Sequence, residues 1–268
     1  MTYRSALLNV MTAAAQKAAR GLVRDLGEIE HLQVSKKGPA DFVSKADRRA
    51  EEVLRAQLVK ARPRYGLLME ESGGFEGKDT SNRWIVDPLD GTTNFLHGIP
   101  HFSISIALER DGDLFAGVIY SPVHDEMFVA EKGLGAYLNG RRIRVSARKN
   151  MSEALFATGI PFMGIPDHSL FLRQLQSVME VSAGIRRYGS AALDLAYVAA
   201  GRYDGYWENG LNPWDVAAGI VLVRESGGFV TDVSGGTGML VGGGILAANS
   251  ALHGPLLNLI SKAGGAEK

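Results

Sequence analysis

Residues 84–95 read WIVDPLDGTTNF, and they carry the strongest structural signal in the chain. The apolar start of this stretch predicts a buried strand that ends at Asp87. Asp90 follows three residues later, and Pro88 restricts the backbone between the two acids. Gly91 then permits a close backbone approach or an unusual dihedral angle. Two carboxylates followed by a glycine and hydroxyls are typical of a site for a metal ion and a phosphate, because Mg²⁺ prefers oxygen ligands.

The same stretch has an ordinary alternative interpretation as a turn. Asp, Pro and Gly are the commonest turn residues, so residues 87–91 fit a turn without any function. If a helix begins after them, however, the amide groups of Gly91, Thr92 and Thr93 are free to face an anion. The choice between the two interpretations depends on the other acidic segments of the chain.

Three further segments place acids at the ends of predicted elements. Glu70 and Glu71 follow the apolar residues 67–68, and Asp215 begins an apolar helix. Asp47 lies at the start of another helix, where it also fits a capping carboxylate. A solvated loop or a helix cap explains each segment taken alone, since acids in a first turn complement the helix dipole.

The composition predicts a globular protein of ordinary character. The chain has 268 residues, of which 46% are hydrophobic and 22% charged. This length predicts a single domain with two halves, about residues 1–145 and 146–268. Lys plus Arg and Asp plus Glu both total 29, so the charge balance does not favour a nucleic-acid or membrane-surface binder.

Several classes of chemistry and location are excluded or disfavoured. The chain contains no cysteine, which excludes disulfides, thiolate catalysis and zinc–cysteine sites. Residues 1–25 predict an amphipathic helix and lack a secretory signal, and no apolar run is long enough to span a membrane. The expected location is therefore the cytoplasm.

The pattern around the motif predicts a layered α/β fold. Residues 84–145 predict an antiparallel sheet with tight turns at 111–112 and 139–140. In the second half, helices alternate with strands, which predicts a mixed sheet covered by helices.

Details of three helices are also predicted. Ser44 is expected to cap a second helix after a loop at residues 36–39. A helix at 169–182 is expected to bury Leu172 and Met179, together with Leu170 and Leu175. Ser250 is expected to cap the last helix.

Together, these segments resemble the inositol monophosphatase family, a lithium-sensitive, magnesium-dependent group of sugar phosphatases. The resemblance rests on EES at 70–72, DPLDGTTNF at 87–95 and WDVAAG at 214–219, and on their order and separation. The stretch RYGSAALDLAYVAAG at 187–201 is similar to the bacterial members. The resemblance implies an αβαβα sandwich of the sugar phosphatase type, usually assembled as a homodimer.

The resemblance also implies a set of metal ligands for two to three Mg²⁺ ions, with Li⁺ as an inhibitor. Glu70, Asp87 and the carbonyl of Leu89 correspond to ligands of the first ion. Asp87, Asp90 and Asp215 correspond to ligands of the second. Glu70 corresponds to a residue that contacts a weaker third ion through water.

Further roles carry over from the same resemblance. Gly91 and Thr92 correspond to residues that hold phosphate through their backbone amides. Thr92, with Asp47 behind it, and Glu70 correspond to residues that position the attacking water. Lys36 lies in the loop expected to close over the metals. The implied substrate-binding residues are Asp90, Gly91, Thr92, Gly189, Ser190, Ala191, Glu208 and Asp215.

The implied reaction is the hydrolysis of inositol monophosphate to inositol and phosphate by a metal-activated water. No phosphoenzyme is needed, and a water near Asp215 is expected to protonate the leaving oxygen. Fructose 1,6-bisphosphate, histidinol phosphate and adenosine 3′,5′-bisphosphate remain alternative substrates. Some bacterial relatives also act with the transcription machinery, which leaves a protein partner open; direct binding of nucleic acid is not expected.

Two other catalytic schemes fit the residues less well. Haloacid-dehalogenase phosphatases also use an Asp-Gly-Thr run, but they need a second Asp two residues after the first. Here Pro88 occupies the position two residues before Asp90. His97 and His101 have no Ser/Asp partner pattern, so His97 is interpreted as a structural loop residue.

Overall fold

The structure is a computed structural model that describes residues 5–28, 34–38, 41–162, 167–242 and 244–264. For residues 34–38 and 41–44 it describes the backbone only. The predicted roles of Lys36 and of Ser44 as a cap therefore fall on side chains outside the described part.

Helices of very different length alternate with strands. The α-helices are α1 (Ala6–Leu26), α2 (Lys45–Ala61), α3 (Thr92–Leu96), α4 (His168–Met179), α5 (Ala191–Ala199), α6 (Pro213–Glu225) and α7 (His253–Gly264). None of the helices within the described ranges combines the length and apolarity needed to cross a bilayer.

The strands form a hairpin and two larger sheets. The strands are β1 (Val34–Gly38), β2 (Asp41–Ser44), β3 (Tyr65–Met69), β4 (Gly73–Phe75), β5 (Asp79–Asp90), β6 (Ser103–Arg110), β7 (Asp113–Ser121), β8 (Glu126–Glu131), β9 (Gly135–Leu138), β10 (Arg141–Arg142), β11 (Leu155–Thr158), β12 (Gly184–Arg186), β13 (Gly205–Glu208), β14 (Phe229–Thr231) and β15 (Ile245–Ala248). The first large sheet has the order β10-β9-β8-β7-β6-β5-β3-β4, and the second has the order β12-β11-β13-β15-β14.

Strand β5 shows why the first sheet is covered on both faces. Side chains alternate between the two faces of a strand. Trp84 and Val86 pack in the core shared with α1 and α2, whereas Ile85 packs in the core shared with α5 and α6. Because both faces need cover, the sequence of this strand reads as a continuous apolar run.

Helix α6 packs very closely on the first sheet. A side chain at Gly117 of β7 would come within 2.5 Å of the backbone oxygen of Ala218, so this position has no room for a Cβ atom. On the other side of α5 and α6 lies the second sheet, whose far face packs Trp207 against Leu256 and Ile260 of α7. Helix α4 packs beside α7.

The layers therefore run from α1 and α2 through the first sheet, α5 and α6, and the second sheet to α4 and α7. This confirms the predicted αβαβα sandwich. The tight turns are also confirmed, since Asp111 and Asn139 both adopt positive φ angles next to glycines. The second sheet is mixed, as predicted, with β12, β11 and β13 parallel and β15 antiparallel to β13.

Several local predictions were wrong. Residues 34–38 and 41–44 pair as an antiparallel hairpin where a loop was expected. The first sheet begins upstream of residue 84, and β3 pairs with β5 in parallel, so the sheet is not purely antiparallel. The last helix begins at His253, and the side chain of Asn249, rather than Ser250, accepts hydrogen bonds from the N–H groups before it.

The buried face of α4 was also predicted incorrectly. Leu172 is 60% exposed and Met179 is 61% exposed, whereas Phe171, Gln174 and Val178 are buried. Apolar residues occur on both sides of this helix, so periodicity alone does not determine which side faces α7.

Candidate active site

The acids of the predicted site meet where parallel strands end. Strands β3 and β5 are parallel, so their carboxyl ends lie at the same edge of the first sheet. Glu70 follows β3, and its N–H donates to the carbonyl of Val86 at 3.2 Å. Asp87 and Asp90 lie at the end of β5, where the pairing with β6 becomes irregular. The irregular register lets both acids lie on the same side of the strand end.

Each of three acids has one carboxylate oxygen held by a backbone N–H group. Asp87 Oδ1 accepts from Leu89 at 2.9 Å, and Asp215 Oδ2 accepts from Asn212 at 2.7 Å. Asp90 Oδ2 accepts from Ala192 at 2.9 Å. Such bonds orient the carboxylates, and the side chain of Asp87 is also hydrogen-bonded to that of Glu70.

Asp90 also joins the two halves of the molecule. Its Oδ2 atom accepts hydrogen bonds from the hydroxyls of Ser190 and Ser103, in addition to the N–H of Ala192 in α5. Ser190 is the N-cap residue of α5, where its side chain also accepts from Leu193. The start of α5 is thus fixed on the end of β5.

The electrostatics of the site show a concentration of negative charge. Burial and the charges of Glu70, Asp90 and Asp215 raise the pKa of Asp87 well above its usual range. Burial is also the main cause that raises the pKa of Asp90, to about 6, against the opposing bonds from Ser190 and Ala192. Burial raises the pKa of Asp215, and the charges of Asp90 and Glu70 add to it.

This cluster has the chemistry of a cation site. Buried charges are normally paired or coordinated to a metal. Within the described ranges, no Lys, Arg or His forms an ion pair with Asp87, Asp90 or Asp215. In the same residues, no group of three or more His, Cys, Asp or Glu side chains has an arrangement that holds a metal ion by itself. Buried carboxylates without an ion-pair partner in the described ranges nevertheless fit a hard divalent cation, which takes oxygen ligands.

The beginning of α3 fits an anion. Gly91 is the N-cap residue of this helix and adopts φ 95°, a conformation that other residues rarely take. A Cβ atom there would lie 3.1 Å from the carbonyl oxygen of His101. No side chain caps the helix, so its first N–H groups are available to a ligand.

Thr92 contacts two predicted members of the site. Its hydroxyl lies 3.0 Å from Asp47 Oδ1 and 3.0 Å from the carbonyl oxygen of Leu89, and it donates to either. Asp47 is fully buried in the first turn of α2. A threonine hydroxyl that donates to a carboxylate has lone pairs left to accept a hydrogen bond from water.

A further acid, Glu208, lies at the end of β13. Burial raises the pKa of Glu208 to about 7, against a hydrogen bond from the hydroxyl of Tyr206 and the charge of Arg187. The backbone at Gly159 passes so close that a Cβ atom there would overlap the carboxylate of Glu208. A cleft of about 480 Å³ opens beside Glu208 and Asp215.

Gly189, Ser190 and Ala191 lie at the start of α5, as the sequence predicted for one wall of the site. Asn94 in α3 fixes the preceding backbone, because its Nδ2 atom donates to the carbonyls of Tyr188 at 2.7 Å and His101 at 2.8 Å. A glycine at position 189 is required by its φ angle of 83°.

The sequence did not indicate a role for two residues that lie near the site, Asp194 and Asn94. Asp194, in the first turn of α5, is 1% exposed, and its Oδ1 atom accepts no hydrogen bond within the described part of the chain. Burial and the charges of Glu208 and Asp90 raise its pKa well above its usual range. The signal was an acid inside the apolar run AALDLAYVA. Asn94 was part of a recognised motif, but no role was assigned to it.

The two histidines after the motif lie in different environments. His97 is exposed. His101 is buried, and burial lowers its pKa to about 4. Its ring packs against Tyr188 at a centroid distance of 5.0 Å. Both observations agree with structural roles.

A layered αβαβα sandwich with acids gathered at the ends of β3 and β5 defines a phosphatase of the sugar phosphatase type. Comparison with known proteins agrees, since the family model "Inositol monophosphatase family" matches residues 4–264. The chain belongs to the inositol monophosphatase family, which confirms the resemblance found in the sequence. The family is metal-dependent.

Three relatives illustrate the similarity. The inositol-1-monophosphatase of Mesorhizobium japonicum is 57% identical over 259 residues, which is 97% of each chain. The Nus factor SuhB of Pseudomonas aeruginosa is 45% identical over 258 residues, which is 95% of each chain. The solved structure of the extragenic suppressor protein suhB from Bartonella henselae superposes with a TM-score of 0.94 and 56% identity, covering 96% of this chain and 99% of that one.

Proposed function

We propose that this protein hydrolyses inositol monophosphate to inositol and phosphate, with two to three Mg²⁺ ions. The observation that carries the proposal is the set of acids Asp87, Asp90 and Asp215. Each is oriented by a backbone N–H group, and none has a cationic partner in the described ranges. The name of the relative from Mesorhizobium japonicum supports the choice of inositol monophosphate.

The acidic cluster and one carbonyl would hold the ions. Glu70, Asp87 and the carbonyl of Leu89 are proposed for the first ion, and Asp87, Asp90 and Asp215 for the second. When bound, Mg²⁺ lowers the pKa of coordinated water and neutralises charge on the phosphate. The backbone N–H groups that bond to Asp87, Asp90 and Asp215 would hold these carboxylates in position before the substrate arrives.

Thr92 and Asp47 are proposed to orient the attacking water, together with Glu70. With its own proton directed to Asp47 Oδ1, the Thr92 hydroxyl accepts a hydrogen bond from the water. The amides of Gly91 and Thr92 are proposed to bind phosphate oxygens, where they stabilise the charge that spreads over them in the transition state.

The polyol is proposed to lie between the start of α5 and Glu208. The residues proposed to line this part of the site are Asp90, Gly189, Ser190, Ala191, Glu208 and Asp215. Three acids line the adjoining cleft, namely Asp167, Glu208 and Asp215, and no Lys or Arg belongs to its described lining. A second phosphate on the leaving group would be repelled there, so a monoester is favoured over fructose 1,6-bisphosphate or adenosine 3′,5′-bisphosphate.

Asp90→Asn tests the assignment. An asparagine oxygen still accepts from Ala192 and Ser190, so the start of α5 stays in place while the negative charge is lost. We expect kcat for inositol 1-phosphate at saturating Mg²⁺ to fall about 100-fold or more. Losing one electrostatic contribution to the transition state typically has an effect of this size. Li⁺ should inhibit the wild-type enzyme, and chelation should abolish its turnover.

Asp113→Asn is the matched control, because Asp113 lies on an exposed hairpin and, among the described residues, forms an ion pair only with the exposed Lys132. Its turnover should equal that of the wild type. Unchanged turnover in Asp90→Asn, or turnover that persists after complete chelation, would refute the metal-dependent mechanism.

The assembly and location of the enzyme are part of the same proposal. We expect a homodimer in the cytoplasm, as the family resemblance implies. Analytical ultracentrifugation across a range of protein concentrations tests the dimer; a monomer at all concentrations would contradict it.

A second role has one specific observation in its favour. Relatives that match nearly the whole chain are named Nus factor SuhB, among them the 45% identical protein of Pseudomonas aeruginosa. We therefore include a transcription protein as a candidate partner. Capture of transcription proteins that survives in Asp90→Asn would separate this role from hydrolysis, and no capture by either form would refute it.

A further inference from the structure

The cleft beside Glu208 and Asp215 has an apolar wall that a polyol does not need. Its volume of about 480 Å³ falls within the range of sites that enclose drug-sized ligands. Glu208 and Asp215 line the end that adjoins the candidate catalytic residues. The apolar part of the described lining comes from three separate segments and consists of Ile160, Pro161, Phe162, Leu170, Phe171 and Leu211.

Two of these side chains are exposed to an unusual degree for their size. Ile160 is 47% exposed and Phe162 is 46% exposed. The ring of Phe162 packs against no other aromatic ring in the part of the chain that the structure describes. Large apolar side chains gathered at the rim of a concave site mark a surface that binds an apolar group.

The charges of the cleft restrict what this apolar group is attached to. Asp167, Glu208 and Asp215 are the charged residues of the described lining, and all three are acids. A leaving group with its own negative charge is therefore disfavoured. Asn209 and Asn212 supply neutral polar groups between the acids and the apolar wall. The lining matches a neutral molecule that has both polar and apolar parts.

We propose that the cleft is a leaving-group subsite for phosphate monoesters of a neutral alcohol that carries an aromatic ring. The phosphate lies at the start of α3, the alcohol oxygen lies near Asp215, and the ring packs against Phe162 and Ile160. Aromatic rings gain both from burial and from contact with another ring. This inference rests on the proposed function, because it names a substrate class for the same site.

Two phosphonates isolate the contribution of the ring. In 3-phenylpropylphosphonate and propylphosphonate, a methylene replaces the ester oxygen, so neither compound is hydrolysed. They share the phosphonate and the first three carbons and differ only in the phenyl group. Calorimetric titration of the wild-type protein with Mg²⁺ present should give a Kd about tenfold or more lower for the phenyl compound. Burial of the apolar surface of the phenyl ring lowers the binding free energy by enough to account for this factor.

Variants locate the ring in the cleft. In Phe162→Ser, the ratio of the two Kd values should fall toward one, while propylphosphonate itself still binds. Leu134→Ser is the matched control, because Leu134 is an exposed leucine in the turn between β8 and β9. It should preserve both the ratio and the turnover of inositol 1-phosphate. Ile160→Ser gives a second reading if Phe162→Ser fails to fold.

The outcomes separate this inference from the proposed function. Equal Kd values for the two phosphonates in the wild type, with normal turnover of inositol 1-phosphate, would overturn the aromatic subsite alone. A preserved ratio in both Phe162→Ser and Ile160→Ser would overturn its location. If the wild type does not hydrolyse inositol 1-phosphate but binds the phenyl compound more tightly than propylphosphonate, the proposed substrate would be overturned and the subsite supported.

Discussion

At the scale of the residue, the site is a set of acids whose proton affinity is raised by their surroundings. Glu208 is the clearest case, because burial raises its pKa to about 7. Below that pH the side chain is protonated, and above it the side chain is an anion that accepts two strong hydrogen bonds. The protonation state of Glu208 should therefore control how well the polyol binds.

We predict that the KM for inositol 1-phosphate falls as the pH rises through 7. The ionised Glu208 accepts from polyol hydroxyls more strongly than the neutral form does. Glu208→Gln should remove this inflection and raise the KM above pH 7, with a smaller effect on kcat. The measurement is a KM profile from pH 5.5 to 8.5 at saturating Mg²⁺.

Ethyl phosphate separates the pKa of Glu208 from that of the substrate phosphate, which titrates near pH 6. This ester has the phosphate but no polyol, so its KM profile should contain only the phosphate ionisation. Glu153→Gln, an exposed substitution on a 3₁₀ turn, is the protein control. An inflection that persists in Glu208→Gln would assign it to another group.

At the scale of the element, Asn94 connects the phosphate-binding end of α3 to the segment before α5. Its amide donates to the carbonyls of His101 and Tyr188, which lie in different halves of the chain. We predict that Asn94→Ala raises the KM for inositol 1-phosphate, because the segment at Gly189 loses its anchor. The buried carbonyl of His101 and the partly buried carbonyl of Tyr188 each lose a donor, so the free energy of unfolding should fall by about 1–3 kcal/mol.

The measurements for Asn94→Ala are steady-state kinetics and urea denaturation. Asn150→Ala is the control, because Asn150 is exposed and, in the described part of the chain, its side chain bonds only to the exposed Glu153. It should change neither quantity. Wild-type kinetics together with reduced stability in Asn94→Ala would mean that the anchor is structural and does not position the site.

The elements also show what the sequence predicts and where it stops. Strands β5 to β8 and the turns at 111–112 and 139–140 were found because period-two patterns and the Asp-Gly and Asn-Gly pairs are local signals. The buried face of α4 was not found, since Leu172 and Phe171 are equally apolar and only the position of α7 distinguishes them. Strand β11, Leu155–Thr158, gave no separate signal within its short apolar segment.

The candidate site divides in the same way. Family motifs pointed to Asp87, Asp90 and Asp215 through residues close to them in sequence. The bond from Ser190 to Asp90 joins positions 100 residues apart, and no local pattern specifies it. The resemblance implied Ser190 as a site residue. The burial of Asp194, whose Oδ1 atom accepts no hydrogen bond in the described part of the chain, depends on the tertiary structure around it.

At the scale of the whole molecule, the two halves share a core. The central core includes Ile85 and Phe128 of the first sheet, Leu195 and Ile220 of the intervening helices, and Ala247 of the second sheet. We propose on this basis that the halves predicted at about 1–145 and 146–268 form one domain. Site acids come from both halves, so charge in the site acts on the stability of the whole domain.

We predict that the metal-free protein loses stability as the pH rises from about 4 to about 7. Asp90 and Glu208 have folded-state pKa values of about 6 and about 7, above the values of about 4 expected in an unfolded chain. A carboxyl with a raised pKa contributes stability that is fully present below its unfolded pKa and is lost as the pH rises through its folded pKa. Asp87 and Asp194 shift in the same direction and add to the effect.

Magnesium should reverse this loss, because it binds the ionised carboxylates of the folded state. At 100 times its Kd, a ligand adds about 2.7 kcal/mol to the free energy of unfolding. The increase in Tm on adding Mg²⁺ should therefore be several degrees at pH 8 and much smaller at pH 5, as measured by differential scanning calorimetry. Asp90→Asn should reduce the increase at pH 8, whereas Asp113→Asn should keep it. Each increase in Tm compares the same variant with and without Mg²⁺ at one pH, so the effects of ionisations elsewhere in the chain cancel. An equal increase in Tm at pH 5 and pH 8 would show that the ion does not bind these acids.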